Sequence, residues 1–193
     1  MAPLPKERVE PGEPFENTGV DAFGPFNVKF GRRASEKRWI LIFTCFTTRA
    51  IHLELVNAMS SSAMLNALVR FASRRPGVKN LWSDCATNFV GANNIIGEAV
   101  ETWNSSSTAG VKLQEMKWSF LPPLAHHRAG VWERMIKSVK KHMTSIMGRE
   151  TVDADVLATV TAQVEAIVNF RPITKVSDDP KDFESISPAQ IRE

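Results

Sequence analysis

The sequence has 193 residues, of which 43% are hydrophobic and 23% charged, a balance that fits one globular domain with a sizeable core and excludes a fibre or a disordered chain. No apolar run approaches the roughly 18–20 residues needed to span a bilayer, the charged, proline-broken start is unlike a secretion signal, the two cysteines form no CxxC pair and tyrosine is absent, which leaves out a disulfide framework, a structural zinc site and a tyrosine nucleophile. The net charge of +3 conceals a division: residues 1–149 carry 20 basic and 12 acidic side chains, and residues 150–193 carry 4 and 9, so a soluble, intracellular chain with a basic body suited to a polyanion is expected.

Residues 1–16, with prolines at 3, 5, 11 and 14, read as an extended lead-in. A first strand over Gly19 to Phe30 is interrupted by Gly24-Pro25, where a bulge or bend is required. Trp39 to Phe46 is a continuous apolar run, as in a strand buried on both faces, and Ala50 to Val56 alternates. The three together predict a meander. Ser60 to Ser62 cap a helix that runs to about Arg75 and stops at Pro76-Gly77. A short strand from Val78 to Ser83 comes next, followed by a helix over Asn93 to Trp103, a Ser-rich loop over Asn104 to Gly110, and a strand over Lys117 to Leu121. Leu124 to Ala129 reads as loop.

The helix after it is the most informative element. At 100° per residue, Trp132, Met135, Ile136, Val139, Met143, Ile146 and Met147 fall within an arc of about 120°, which must face a core. Glu133, Lys137, Lys140 and Thr144 share a polar strip beside it, with Arg134 and Lys141 further round. A last amphipathic helix spans Asp155 to Phe170, and residues 177–193 form an acidic tail expected to pack loosely. This order predicts one α/β domain over residues 17–176 with a mixed five-stranded sheet flanked by helices, an order that a ribonuclease H-like architecture fits.

Three carboxylates stand out by position: Asp21 within the first strand, Asp84 at the end of the fourth, and Glu133 near the start of a helix. In a mixed sheet the first and fourth strands can be neighbours, and a helix crossing the sheet edge can aim Glu133 at both aspartates. Three hard oxygen donors converging in this way suit Mg²⁺ or Mn²⁺, and two such ions suit in-line phosphoryl transfer. Position alone favours a plainer account, in which Asp84 is a turn residue, Glu133 a first-turn helix charge and Asp21 a hydrogen-bonded strand aspartate.

Ordered blocks add a resemblance. Gly19-Val20-Asp21 with Phe23-Gly24-Pro25-Phe26, Phe43-Thr44-Cys45-Phe46-Thr47-Thr48-Arg49-Ala50-Ile51-His52-Leu53-Glu54, Ser83-Asp84 with Thr87-Asn88-Phe89, Gly130-Val131-Trp132-Glu133-Arg134 with Ser138-Val139-Lys140-Lys141, and Asn169-Phe170-Arg171-Pro172 resemble the integrase of BEL/Pao-type LTR retrotransposons over nearly the whole chain. The resemblance implies a ribonuclease H-like catalytic core of the D,D-x-E polynucleotidyl transferases, in which Asp21, Asp84 and Glu133 hold two Mg²⁺ or Mn²⁺ ions and carry catalysis of 3′-end processing and strand transfer. The 48 residues between Asp84 and Glu133 are long in the manner of these elements. It also implies DNA contacts at Thr87, Asn88, His127, Lys137, Lys140 and Lys141, DNA partners in the form of element ends and target, a homo-oligomer, and action in the nucleus.

Three departures set the terms of the alternatives. The family's Ser-Asp-Asn-Gly is Ser83-Asp84-Cys85-Ala86 here, the aromatic after the first aspartate is Ala22, and the glycine-rich approach to the glutamate is His126-His127-Arg128-Ala129-Gly130. Losing glycines removes backbone freedom where DNA approaches. The first rival is therefore a catalytically inactive, domesticated binding or interaction module. A ribonuclease H acting on hybrids keeps the fold, and a cysteine hydrolase using Cys85 and His127 lacks an oxyanion or orienting motif.

Overall fold

The computed structural model describes residues 12–30, 34–84, 89–92, 94, 116–120, 126–148, 150–174 and 185–192. Strand β1 (Asn17–Phe30), β2 (Ala34–Cys45) and β3 (Ile51–Val56) form the expected antiparallel meander. Helix α1 (Ser61–Arg74) then crosses to β4 (Asn80–Ser83), which lies parallel to β1, and β5 (Lys117–Phe120) lies parallel to β4. Helices α2 (His126–Met147) and α3 (Ala154–Asn169) complete the domain. The sheet order β3-β2-β1-β4-β5 makes β1 and β4 neighbours at the centre.

Each face of the sheet has its own core. Leu41, Phe43 and Cys45 point to the α1 side with Val20 and Leu81, where they meet Met64, Ala67, Leu68 and Phe71. Ile40 and Ile42 point the other way and pack with Phe23, Phe46, Trp132, Val139, Leu157 and Val164 beneath α2 and α3. The apolar run of β2 is thus buried on both faces, as a period of two requires. At Gly24-Pro25 the pairing with β2 slips by one residue between Phe23 and Phe26. This bulge resets the alternation, so that Phe23 before it and Val28 after it enter the same core. Gly24 stands at φ 141°, a conformation open to glycine alone at little cost. Helix α1 begins where Ser60 accepts a hydrogen bond from Ala63 N at 3.2 Å and ends against Pro76-Gly77, with Gly77 at φ 100°.

Several boundaries differ from those expected. Residues 12–16 are not part of an extended lead-in: Phe15 is buried in the α1-side core, edge-on to Phe71, and Glu16 pairs with Lys79 at 2.8 Å. Phe15 supplies an apolar anchor that the surrounding prolines and glutamates mask in the sequence. Helix α2 already spans His126 to Ala129, where a loop was expected, because no breaker stronger than Gly130 interrupts the run. Ile146, expected on the apolar arc, is exposed, while Met143 and Met147 of the same arc pack on the core. The acidic tail returns to the domain over residues 185–192: Ala189 N donates to Asn169 O at 2.9 Å, Ile173 N to Ile186 O at 2.7 Å, and Ser187 and Ala189 are buried. The helix expected over Asn93 to Trp103 and the Ser-rich loop fall largely or wholly outside the described residues, although residues 89–92 are already helical. Among the described residues no helix is long and apolar enough to cross a membrane.

Candidate active site

The two central strands place the first two carboxylates. Along β1, Phe23 faces the α2–α3 core and Val20 the α1 core, so alternation sets Gly19 and Asp21 on the α2 side. The parallel register pairs Gly19 with Trp82. Carried two residues further, it brings Asp84, just past the end of β4, level with Asp21. Helix α2 supplies the third: Trp132 is buried on the sheet, and the exposed Glu133 follows it.

Electrostatics link the three. Asp21 is half-buried, and its pKa is pushed up from 3.8 to about 6. Burial is the main cause, reinforced by the charges of Asp84 and Glu133 and opposed by the Ala22 N–H, which donates to Asp21 Oδ1 at 2.7 Å, and by Lys140. Lys140 lies two turns beyond Glu133 on the same strip, its ammonium 5.6 Å from the centre of the Phe23 ring. A carboxyl raised by burial, with two like charges adding to the shift, gains from a cation that offsets them. Hard oxygen donors in that state suit a divalent cation, so the residue types fit Mg²⁺ or Mn²⁺. As the side chains stand, however, no three His, Cys, Asp or Glu groups among the described residues close tightly enough to hold an ion.

The remaining candidates divide. Lys137, Lys140 and Lys141 are exposed on α2, the first two on the strip that carries Glu133. His127 lies in the first turn of α2 rather than in a loop. Thr87, Asn88 and Cys85 lie outside the described residues. Cys45 is fully buried, and its Sγ accepts the N–H groups of Phe15 and Thr48 at 3.2 and 3.3 Å.

A second ionic cluster sits at the edge of the sheet, and although His52 and Glu54 stand in one of the sequence blocks that carry the resemblance, no role was assigned to them. His52 on β3 is buried between two carboxylates, with Nε2 3.0 Å from Glu54 Oε1 and Nδ1 3.3 Å from Glu165 Oε1. Glu54 also accepts from Arg70 Nε at 2.6 Å and Arg74 at 2.7 Å. Glu165 accepts from Leu53 N at 2.8 Å and Arg75 at 3.3 Å. These groups line an open cavity of about 580 Å³ between β3, α1 and α3. Two polar residues at alternate positions of β3 and three arginines closing α1 were the available signal. Nearby, Asn169 exchanges hydrogen bonds with the backbone of Ile51, and Arg171 donates to Arg49 O at 2.8 Å. Both fasten the end of α3 to the start of β3.

No protein-family model matches the sequence, and no curated protein does. The fold, by contrast, is similar to solved integrases. A chain of the simian T-cell lymphotropic virus intasome, solved in complex with the PP2A regulatory subunit B56γ, superposes with a TM-score of 0.65 at 10% identity over 100% of this chain; this chain spans 59% of its length. The HTLV-2 integrase catalytic core domain in complex with magnesium superposes in its dimeric form with a TM-score of 0.60 at 12% identity, and in its trimeric form with 0.59 at 13%. Each covers 94% of this chain and 98% of the other. The architecture is therefore the ribonuclease H-like fold of integrase catalytic cores, with the five-stranded mixed sheet that the sequence order predicts.

Proposed function

We propose that this chain is the catalytic core of an integrase of the BEL/Pao retrotransposon type, a polynucleotidyl transferase acting on DNA. The reading is supported by the integrase-core fold, whose central strand carries Asp21 on the α2 side, and by a pKa of Asp21 that burial raises with the charges of Asp84 and Glu133 adding to it. Asp21, Asp84 and Glu133 are the residues that would hold two Mg²⁺ or Mn²⁺ ions. When bound, such ions supply Lewis acidity to the attacking and leaving oxygens of an in-line displacement.

The protein's own part is to bind and to orient. Asp21 holds a proton below about pH 6, and that proton must leave before both its oxygens can act as ligands. Lys137, Lys140 and Lys141 present cations to phosphates of the DNA strand running along α2. Attack by water on a phosphodiester gives end processing, and attack by a DNA 3′-hydroxyl gives strand transfer. In either case one P–O bond forms, one breaks, the nucleophile loses its proton and the leaving 3′-oxygen gains one, with no covalent intermediate on the protein. Such chemistry belongs where chromosomal DNA is, so nuclear action follows from the substrate. Assembly into a homo-oligomer is supported by exposed apolar surface at the end of α3, where Ile167 and the following Phe170 are exposed.

The test is nicking and joining of branched DNA in Mn²⁺ by the unsubstituted chain and by Asp84→Asn. Product from the unsubstituted chain, reduced at least about 1,000-fold by Asp84→Asn, is expected, since a ligand to the reacting site is lost. Equal product from both would remove Asp84 from the assignment. A second reading, an inactive binding module descended from such an enzyme, is favoured by Cys85, Ala86 and Ala129 standing where the resembled family has other residues. Folded protein that binds branched DNA but yields no product and takes up no Mn²⁺ would establish it.

A further inference from the structure

Strand β1 carries a glycine that its backbone does not require. Gly19 pairs on both sides, with Thr44 of β2 and Trp82 of β4, and unlike Gly24, Gly77 and Gly148 it does not take a positive φ. A glycine inside a central strand weakens it and marks a close approach by something else. That something is Trp132. A Cβ at position 19 would lie 2.2 Å from Trp132 Cε3, 2.5 Å from Cζ3 and 2.9 Å from Phe46 Cε1. The indole therefore rests directly on the bare backbone of β1.

The ring is held there from the side. Trp132 is 2% exposed and stacks on Phe46, with centroids 6.1 Å apart and planes at 16°. Phe46 in turn meets Trp82, at 6.4 Å and 33°, and its N–H donates to Asn17 O at 2.9 Å. Three members of this set are near neighbours in sequence of a carboxylate: Gly19 stands two residues before Asp21, Trp82 two before Asp84, and Trp132 one before Glu133. At the turn that carries Glu133, the indole-on-glycine contact thus brings α2 directly onto β1.

We propose that Gly19 is a positioning residue for the carboxylate site: the missing side chain lets Trp132 seat on β1 and so sets how closely Glu133 approaches Asp21 and Asp84. The inference rests on the integrase-core reading and adds to it the residue that controls the spacing of the triad. A methyl group at position 19 needs roughly 3.5–4 Å from the ring carbons, so the helix must rise by about 1–2 Å. A misplacement of that size costs on the order of 100-fold in rate. Replacing Trp132 by phenylalanine removes the outer ring atoms that the methyl would strike, and so offers a compensating change.

The experiment compares the unsubstituted chain with Gly19→Ala, Trp132→Phe and the double variant. It reads Mn²⁺-dependent nicking of branched DNA at saturating substrate, Mn²⁺ affinity by calorimetry, and folding by circular dichroism. Gly19→Ala is expected to lose about 100-fold in turnover with weakened Mn²⁺ binding, and the double variant to recover at least tenfold of that loss. A purely structural glycine would not be rescued in metal affinity by trimming the ring. Should Gly19→Ala fail to fold, recovery of both fold and Mn²⁺ binding in the double variant supports the seat. Undiminished turnover and Mn²⁺ affinity in folded Gly19→Ala overturn it, as does a double variant no better than Gly19→Ala. Absence of product and of Mn²⁺ binding in the unsubstituted chain is a different failure, which removes the enzyme reading and the inference with it.

Discussion

The sheet carries buried or half-buried carboxylates at two places, and they are treated in opposite ways. At the β3 edge, Glu54 and Glu165 are each fully compensated. Burial raises their pKa values, but hydrogen bonds from His52, with Arg70 helping Glu54 and with Leu53 N and Arg75 helping Glu165, turn the net shift downward. At the β1–β4 junction burial raises the pKa of Asp21 to about 6, with the charges of Asp84 and Glu133 adding to it and only the Ala22 N–H and Lys140 opposing it. Burying a charge is costly unless it is paired. The compensated cluster holds elements together, tying β3 to α1 and α3. The Asp21 site instead keeps a carboxyl raised by burial with like charges beside it, as sites that take a cationic ligand do.

The difference predicts opposite consequences for removing a carboxylate. Glu54→Gln is expected to destabilise the fold by about 3 kcal/mol, the lower end for breaking a buried ion pair, because the Arg70 and Arg74 side chains are 41% and 58% exposed and can return to water. Urea unfolding at pH 7 measures it. Loss below about 0.5 kcal/mol, the scale of a surface pair, would show that the cluster is ornamental and erase the contrast.

Asp21→Asn should do the reverse: stabilise the fold while abolishing Mn²⁺-dependent chemistry. Because the folded-state pKa of Asp21 lies above its unfolded value of 3.8, the folded form binds the proton more tightly. Its contribution is thus favourable at low pH and is lost as pH rises from about 4 to about 6. A carboxyl raised from 3.8 to about 6 costs the folded state on the order of 2–3 kcal/mol at pH 7, and this is the gain expected on substitution. The other cluster titrates differently. Stability from Glu54 and Glu165 is present above their unfolded value of 4.5 and lost as pH falls below it. That from His52, whose pKa the hydrogen bonds to Glu165 and Glu54 raise against the opposing effect of burial, is complete below 6.5 and lost as pH rises through its folded pKa. Asp21→Asn should therefore remove the decline between pH 4 and 6 from the unfolding free energy and leave the fall below 4.5 and the fall above 6.5. An unchanged pH profile would mean that Asp21 is not perturbed.

Much of this contrast was legible in the order of residues alone, and the illegible part has a physical reason. The two-sided burial of β2, the bulge at Gly24-Pro25 and the apolar face of α2 follow from periods of 2 and 3.6, which local sequence displays. The neighbourhood of β1 and β4 followed from element order. The grouping of ionic side chains at β3 did not, because His52 and Glu165 stand 113 positions apart and meet only through packing. Phe15 was hidden by the polar residues around it, and Gly19 was hidden because its cause, the ring of Trp132, lies on another element. The residues of the triad carried a signal through the motifs around them, while their mutual electrostatics appeared only in the fold.

The smallest effect expected is also the most discriminating between the two clusters, since it adds rather than removes imbalance. Lys140 is the cation whose charge lowers the Asp21 pKa, and it is exposed beside the Phe23 ring. Lys140→Met keeps the apolar stem over that ring and deletes only the charge. The Asp21 titration midpoint, followed by carboxyl carbon NMR, should move above about 6 while the unfolding free energy at about pH 5, where Asp21 is mostly protonated in the fold, changes little. If Lys140 also meets a phosphate, the slope of log affinity against log salt for duplex DNA should fall by about 0.9. A shift in the midpoint with no change in slope would confine Lys140 to the carboxylate site. A change in slope with no shift would make it a DNA contact alone, and would leave Asp21 raised by burial and by Asp84 and Glu133 without any lysine to restrain it.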